Sequence, residues 1–118
     1  MIRIAAVVVC LLGLASCAGP GTAEDYRWSV DCPKSVERGA AFQFTVHAMS
    51  ADRKDVAELP YRYEIAWAAG SPLKQGGTTG TPSAAHARMV AGPATLVVRG
   101  IGRNGAEVKV CDAAFEVK

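Results

Sequence analysis

The side chains of this 118-residue chain best suited to thiol chemistry or metal ligation are four cysteines, two histidines and three methionines. His47 and Met49 stand at i and i+2, which sets an imidazole and a thioether on one face of an extended strand. His86 and Met89 repeat the pair of types further on. Such a donor set suits copper, Cu(I) above all. Against that, His47 alternates with the apolar Phe42, Phe44 and Val46 and is expected to face solvent, while His86 and Met89 fall on opposite faces of a regular strand. Catalytic patterns are missing. The sequence has no acid–histidine–nucleophile set, no paired carboxylate motif, no His-Glu-x-x-His and no phosphate-cradling glycine loop. Gly76-Gly77-Thr78-Thr79-Gly80 contains no lysine and precedes no helical pattern, so it is expected to be a mobile loop tip. The chain is expected not to be an enzyme and to need no cofactor.

Cysteine chemistry depends on compartment, and the N-terminus supplies one. Met1-Ile2-Arg3 is a short positive start, Ile4 to Leu14 is almost wholly apolar, and small residues follow, the layout of a secretory signal. The apolar run is too short to span a membrane, which takes about 20 residues. Leu14-Ala15-Ser16-Cys17 resembles the lipobox of bacterial lipoproteins. That resemblance implies cleavage before Cys17, with a diacylglycerol and usually an amide-linked chain on the new N-terminus. Two or more acyl chains anchor a protein stably where one does not. Ala18 stands where retention at an enteric inner membrane would favour Asp, which points to the outer membrane, facing the periplasm or the cell surface.

Cys10 leaves with the signal and Cys17 takes the lipid. Cys32 and Cys111 remain, an even pair in an oxidising compartment, where a disulfide is the default. Closing a loop of about 80 residues would contribute roughly 4.5 kcal/mol in the chain-entropy account. Close cysteine spacings that would signal a thiol metal or redox site are absent.

Cleavage leaves 102 residues with 12 Lys/Arg against 11 Asp/Glu, enough chain for one domain. No basic block suggests nucleic acid, and the cations from Arg27 to Arg62 are interleaved with acids. Residues 17–25 form the lipidated cysteine and a tether of linker composition, Ala-Gly-Pro-Gly-Thr-Ala-Glu-Asp. Eight residues reach at most about 28 Å, so the domain sits close to its membrane. Its expected partners are the membrane, through the lipid, and another envelope protein or surface component.

From residue 26 to 118 the apolar period is two, the mark of half-buried strands. Trp28, Val30 and Cys32 share a face, as do Phe42, Phe44, Val46 and Ala48, and then Tyr61, Tyr63, Ile65 and Trp67. A fourth strand is expected over Ala84 to Ala91 with Met89 as its anchor, a fifth over Ala94 to Ile101 and a last over Ala106 to Val117. Gly102-Arg103-Asn104-Gly105 joins the final two, and Asn-Gly marks a hairpin because both residues tolerate positive φ. Parity breaks in the last strand: Val108 and Val110 lie on one face, Cys111, Ala113, Phe115 and Val117 on the other. A bulge near Cys111 or Asp112 would bring both sets inward. No amphipathic helix appears. Two loops are long enough to bind something, the charged Met49 to Pro60 and the Gly/Thr-rich Ala68 to Ser83. Tyr61 is a candidate anchor beside the first, set against its alternation into the core with Tyr63.

The pattern predicts an all-β antiparallel sandwich of six or seven strands. Val36-Glu-Arg-Gly39, the Phe42-Phe44-Val46 strand, Tyr-x-Tyr-x-Ile-x-Trp67 and Ala91-Gly92-Pro-Ala-Thr-Leu-Val-Val together resemble the immunoglobulin-like and PKD-like domains of bacterial surface proteins. The resemblance implies a Trp67 packed beneath the sandwich and a non-enzymatic interaction or accessory module in an envelope assembly. Periplasmic copper carriers on such sandwiches use His/Met ligands, which makes copper carriage through His47 and Met49 the alternative. In antibody-type domains the cysteines occupy the second and sixth strands. Here Cys32 precedes the second strand and Cys111 lies in the last, so a bridge would tie the chain ends.

Overall fold

Alternation is realised most fully in the strand Ala41–Met49, where Phe42, Phe44, Val46 and Ala48 are buried and the residues between them are not. A computed structural model describes residues 22–118. The expected signal and Cys17 lie outside the described residues. A one-turn 3-10 helix, Ala23–Asp25, precedes eight strands: β1 (Arg27–Asp31), β2 (Ser35–Val36), β3 (Ala41–Met49), β4 (Pro60–Ala66), β5 (Leu73–Thr78), β6 (Ser83–His86), β7 (Gly92–Ile101) and β8 (Glu107–Val117). A five-stranded sheet in the order β2-β8-β7-β4-β5 faces a three-stranded sheet, β1-β3-β6. Only the β2–β8 pairing is parallel. The chain is an all-β sandwich.

Inward side chains of both sheets make one core in which Phe44, Ile65, Leu96, Val46, Val98 and Val117 are fully buried. Burying each such side chain stabilises the fold by about 1.5–3 kcal/mol. Aromatic contacts tie the layers: Phe44 meets Tyr63 edge-on with centroids 4.8 Å apart, and Phe42 meets Phe115 at 5.3 Å. The parity break in the last strand is a bulge, with the β7–β8 register shifting between Lys109 and Cys111. One extra residue there turns Val108 and Val110 as well as Phe115 and Val117 toward the core side.

The structure corrects several expectations. The Gly76–Gly80 segment is not a loop tip, because Leu73–Thr78 is a strand paired along β4. A Cβ on Gly77 would lie 2.6 Å from the Tyr61 hydroxyl and 2.9 Å from Ser83 Oγ, so this strand is glycine-rich to let a tyrosine cross it. The fourth expected strand stops at His86. Ala85 and Ala87 turn inward in its place, and Met89, the expected anchor, is 74% exposed. In the β7–β8 turn only Gly105 takes positive φ, at 80°, while its N–H bonds Gly102 O at 3.0 Å and Asn104 caps Ala106 N–H with its side chain. The end of the expected tether is built into the domain, with Ala23 buried.

Candidate functional site

The cysteines sit on facing elements. Cys32 directly follows β1, Cys111 lies just past the β8 bulge, and β1 packs against β8. Both are half-buried against the core, and both are free thiols rather than the bridge the sequence led us to expect. Burial pushes each thiol up to about 11, with Asp31 adding to the effect at Cys32 and Asp112 at Cys111. Near neutrality they stay protonated and are poor nucleophiles.

The two His/Met pairs lie apart: His86 and Met89 both line a groove at one end of the sandwich, away from His47 and Met49. His47 and Met49 are half-buried on the outer face of β3, opposite Ser29 and Arg27 of β1. A guanidinium beside the thioether works against holding a cation. His86 pairs with Ala41, six residues back along β3 from His47, or about 20 Å at the rise of a strand. Among the described residues no three His, Cys, Asp or Glu side chains come close enough together to hold a metal ion.

Both expected loops are partly held. The end of the first is fastened at Val56 and Leu59 by Thr79, which is 0% exposed, while residues 51–55 are exposed. The Thr79 hydroxyl donates to Val56 O at 2.7 Å and accepts from Leu59 N–H at 3.0 Å, while Thr79 N–H bonds Leu59 O at 2.9 Å. Tyr61 is core, its hydroxyl 2.9 Å from Ser83 Oγ. Residues 73–78 of the 68–83 segment are β5.

Two ends of the sandwich differ sharply. At the β7–β8 turn the entering chain is fastened down. Trp28 Nε1–H donates to Ala23 O at 2.9 Å, Arg103 N–H donates to Glu24 at 3.1 Å, and the Arg103 guanidinium reaches Asp25 at 3.4 Å. Hydrogen bonds lower the carboxyl pKa of both acids. For Asp25 the leading donor is the Thr22 backbone, and for Glu24 it is the residue's own N–H, followed by that of Arg103.

At the opposite end lies a groove of about 710 Å³ whose lining includes Trp67, Leu73, Ala85, Arg88, Met89 and Val90. It exists because of sheet order. β5 ends the five-stranded sheet and β6 ends the three-stranded one, and the two are not paired with each other. Of the three exposed large apolar side chains among the described residues, Met89 and Val90 belong to this groove. Trp67 is 8% exposed, and its Nε1–H is the one buried side-chain polar atom among the described residues without a hydrogen-bond partner. Such an orphan costs about 1–3 kcal/mol. Arg88 spans part of the rim, donating to Ser71 O at 3.0 Å, and no Asp or Glu lines the groove. The sequence pointed here only through the Ala68 to Ser83 segment, whose Ala69, Gly70, Leu73 and Gln75 are in the lining; the rest comes from Trp67 and the alanine-rich residues 84–90. Compared with known protein families and with curated proteins, the chain matches none.

Proposed function

We propose that this chain is a bacterial lipoprotein whose single sandwich works as a non-enzymatic interaction subunit of an envelope assembly. In this reading residues 1–16 are removed, Cys17 carries the lipid, and the domain faces the periplasm or the cell surface from the outer membrane. The lipobox and the Ig-like pattern support it from the sequence. The observation that carries it is the opposed placement of entry and groove. The chain enters the domain beside Gly100, where Ala23 packs, and Trp67 follows Ala66, which pairs with Thr95. Five residues of β7 separate those levels, about 17 Å. A tether of a few residues therefore holds one end at the membrane and turns the open end outward.

Oxidation of Cys32 and Cys111 to a disulfide is part of the same proposal. Their host strands face each other, and the envelope is oxidising. A bridge from one chain end to the other would stiffen the tethered half.

The N-terminal peptide of the protein extracted from native membranes tests this directly. Mass spectrometry should find diacylglyceryl-modified Cys17, and Cys17→Ala should release the protein from the membrane fraction. An unmodified N-terminus, or retention of the Cys17→Ala protein, would sink the lipoprotein reading. Two alkylatable thiols in the unreduced, denatured extract would remove the disulfide from it.

A further inference from the structure

We infer that the groove between β5 and β6 receives an extended peptide strand from a partner protein, one that carries a carboxylate and adds to the β6 edge. This rests on the interaction reading above and names the chemistry of its partner.

The backbone argument comes first. Ala87 N–H donates to Ala40 O at 2.9 Å, and β6 pairs with β3 in the register Ala41↔His86 and Phe42↔Ala85. Bonded and unbonded positions alternate along an antiparallel pair. Ala85 and Ala87 therefore spend their N–H and C=O on β3, while Ala84 and His86 turn theirs to the open side. Among the described residues no neighbouring strand covers that side. An exposed strand edge is a template for pairing with another chain, and β-strand addition derives its affinity from such main-chain bonds.

The side chains narrow the guest. Ala85 and Ala87 are small and inward, leaving room beside Trp67 and Leu73 for alternate apolar side chains of the incoming strand. Trp67 lines the groove with an 8% exposed indole, so its buried N–H reports a strand seated beside it. Arg88 is the one Lys or Arg in the lining, and no acid there answers it. A guanidinium forms its strongest hydrogen bonds with a carboxylate. Charge complementarity thus selects an acidic strand over a neutral or basic one.

The test uses the detergent-extracted, lipidated protein against a phage-displayed library of random nonapeptides. Enriched sequences should alternate apolar residues and include Asp or Glu, and a synthetic copy should shift the Trp67 indole N–H resonance on binding. Arg88→Gln should weaken that peptide about tenfold, as should the peptide's own acid-to-amide substitution. His86→Pro removes an outward donor, a change tolerated at a strand edge, together with the imidazole that lines the groove; it should weaken binding as much, whereas His86→Ala, which keeps the N–H, should not, and circular dichroism checks both folds. Absence of enrichment, or binding indifferent to Arg88→Gln, would overturn the inference. So would a Trp67 resonance that moves with protein concentration alone, because the occupant would then be a second copy. If enrichment fails while cross-links from another face capture an envelope partner, the strand-addition inference falls and the interaction reading stands.

Discussion

The two tryptophans occupy comparable positions at opposite ends of the sandwich and have opposite fates. Trp28 packs where the chain enters and gives its indole N–H to Ala23 O. Trp67 packs where the sheets part and gives its own to nothing. Around the first, Glu24, Asp25 and Arg103 find partners. Around the second, Met89 and Val90 stand exposed and two strand edges run free. A protein's own stability explains the first arrangement. The second leaves a buried polar group unsatisfied and apolar side chains exposed, and exposed apolar patches mark interaction sites.

Substitutions can break or sharpen this contrast. The largest effect belongs to the fastened end. Thr79→Val leaves Val56 O and Leu59 N–H without their bonds in a buried site and should cost about 3 kcal/mol by chemical denaturation. Gly77→Ala comes next, since its methyl group collides with the Tyr61 hydroxyl. Overpacking of that kind costs about 1–3 kcal/mol, and the loss should be relieved in part by Tyr61→Phe.

Two pH effects follow. Cys32 and Cys111 titrate near 11 in the fold, above their ordinary 9. A raised acid leaves the folded state holding more protons, so their contribution is whole below pH 9 and is lost as pH climbs through 11. Tyr61 and Tyr63, also raised by burial, act in the same direction. A bridged protein should show a shallower alkaline loss than the reduced one, read from denaturation midpoints. Asp25 and Glu24 run the other way. Their depressed values give support that is present above about pH 4 and fades as pH falls through the folded values. Amide exchange should open at Thr22 and Arg103 on acidification before the core strands respond.

The smallest effect on stability belongs to the open end. Met89→Ala should change the denaturation midpoint by less than about 0.5 kcal/mol equivalent. A larger loss would mean that Met89 supports the fold and is not held in reserve.

Legibility in the sequence divides along the same line. β3 and β4 were plain because Phe42-Phe44-Val46 and Tyr61-Tyr63-Ile65 alternate without interruption, and the parity break at Cys111 announced the bulge. β5 was hidden because Lys74-Gln75-Gly76-Gly77-Thr78 has no apolar alternation, its glycines being chosen for what crosses them. Met89 shares parity with Ala85 and Ala87 and so read as core, yet the chain leaves the sheet after His86. Of the groove only the Ala68 to Ser83 segment was legible as a place to bind. The groove itself arises from which strands end each sheet, and an acceptor missing from Trp67 leaves no trace in residue types.

The most direct test of the account places a photo-cross-linker at Val90, on the open end, or at Arg53, on the fastened half, in the lipid-bearing protein in native membranes. The account predicts one dominant envelope protein captured at constant stoichiometry from Val90 and not from Arg53. Capture from Arg53 alone, or equal capture from both, would contradict it.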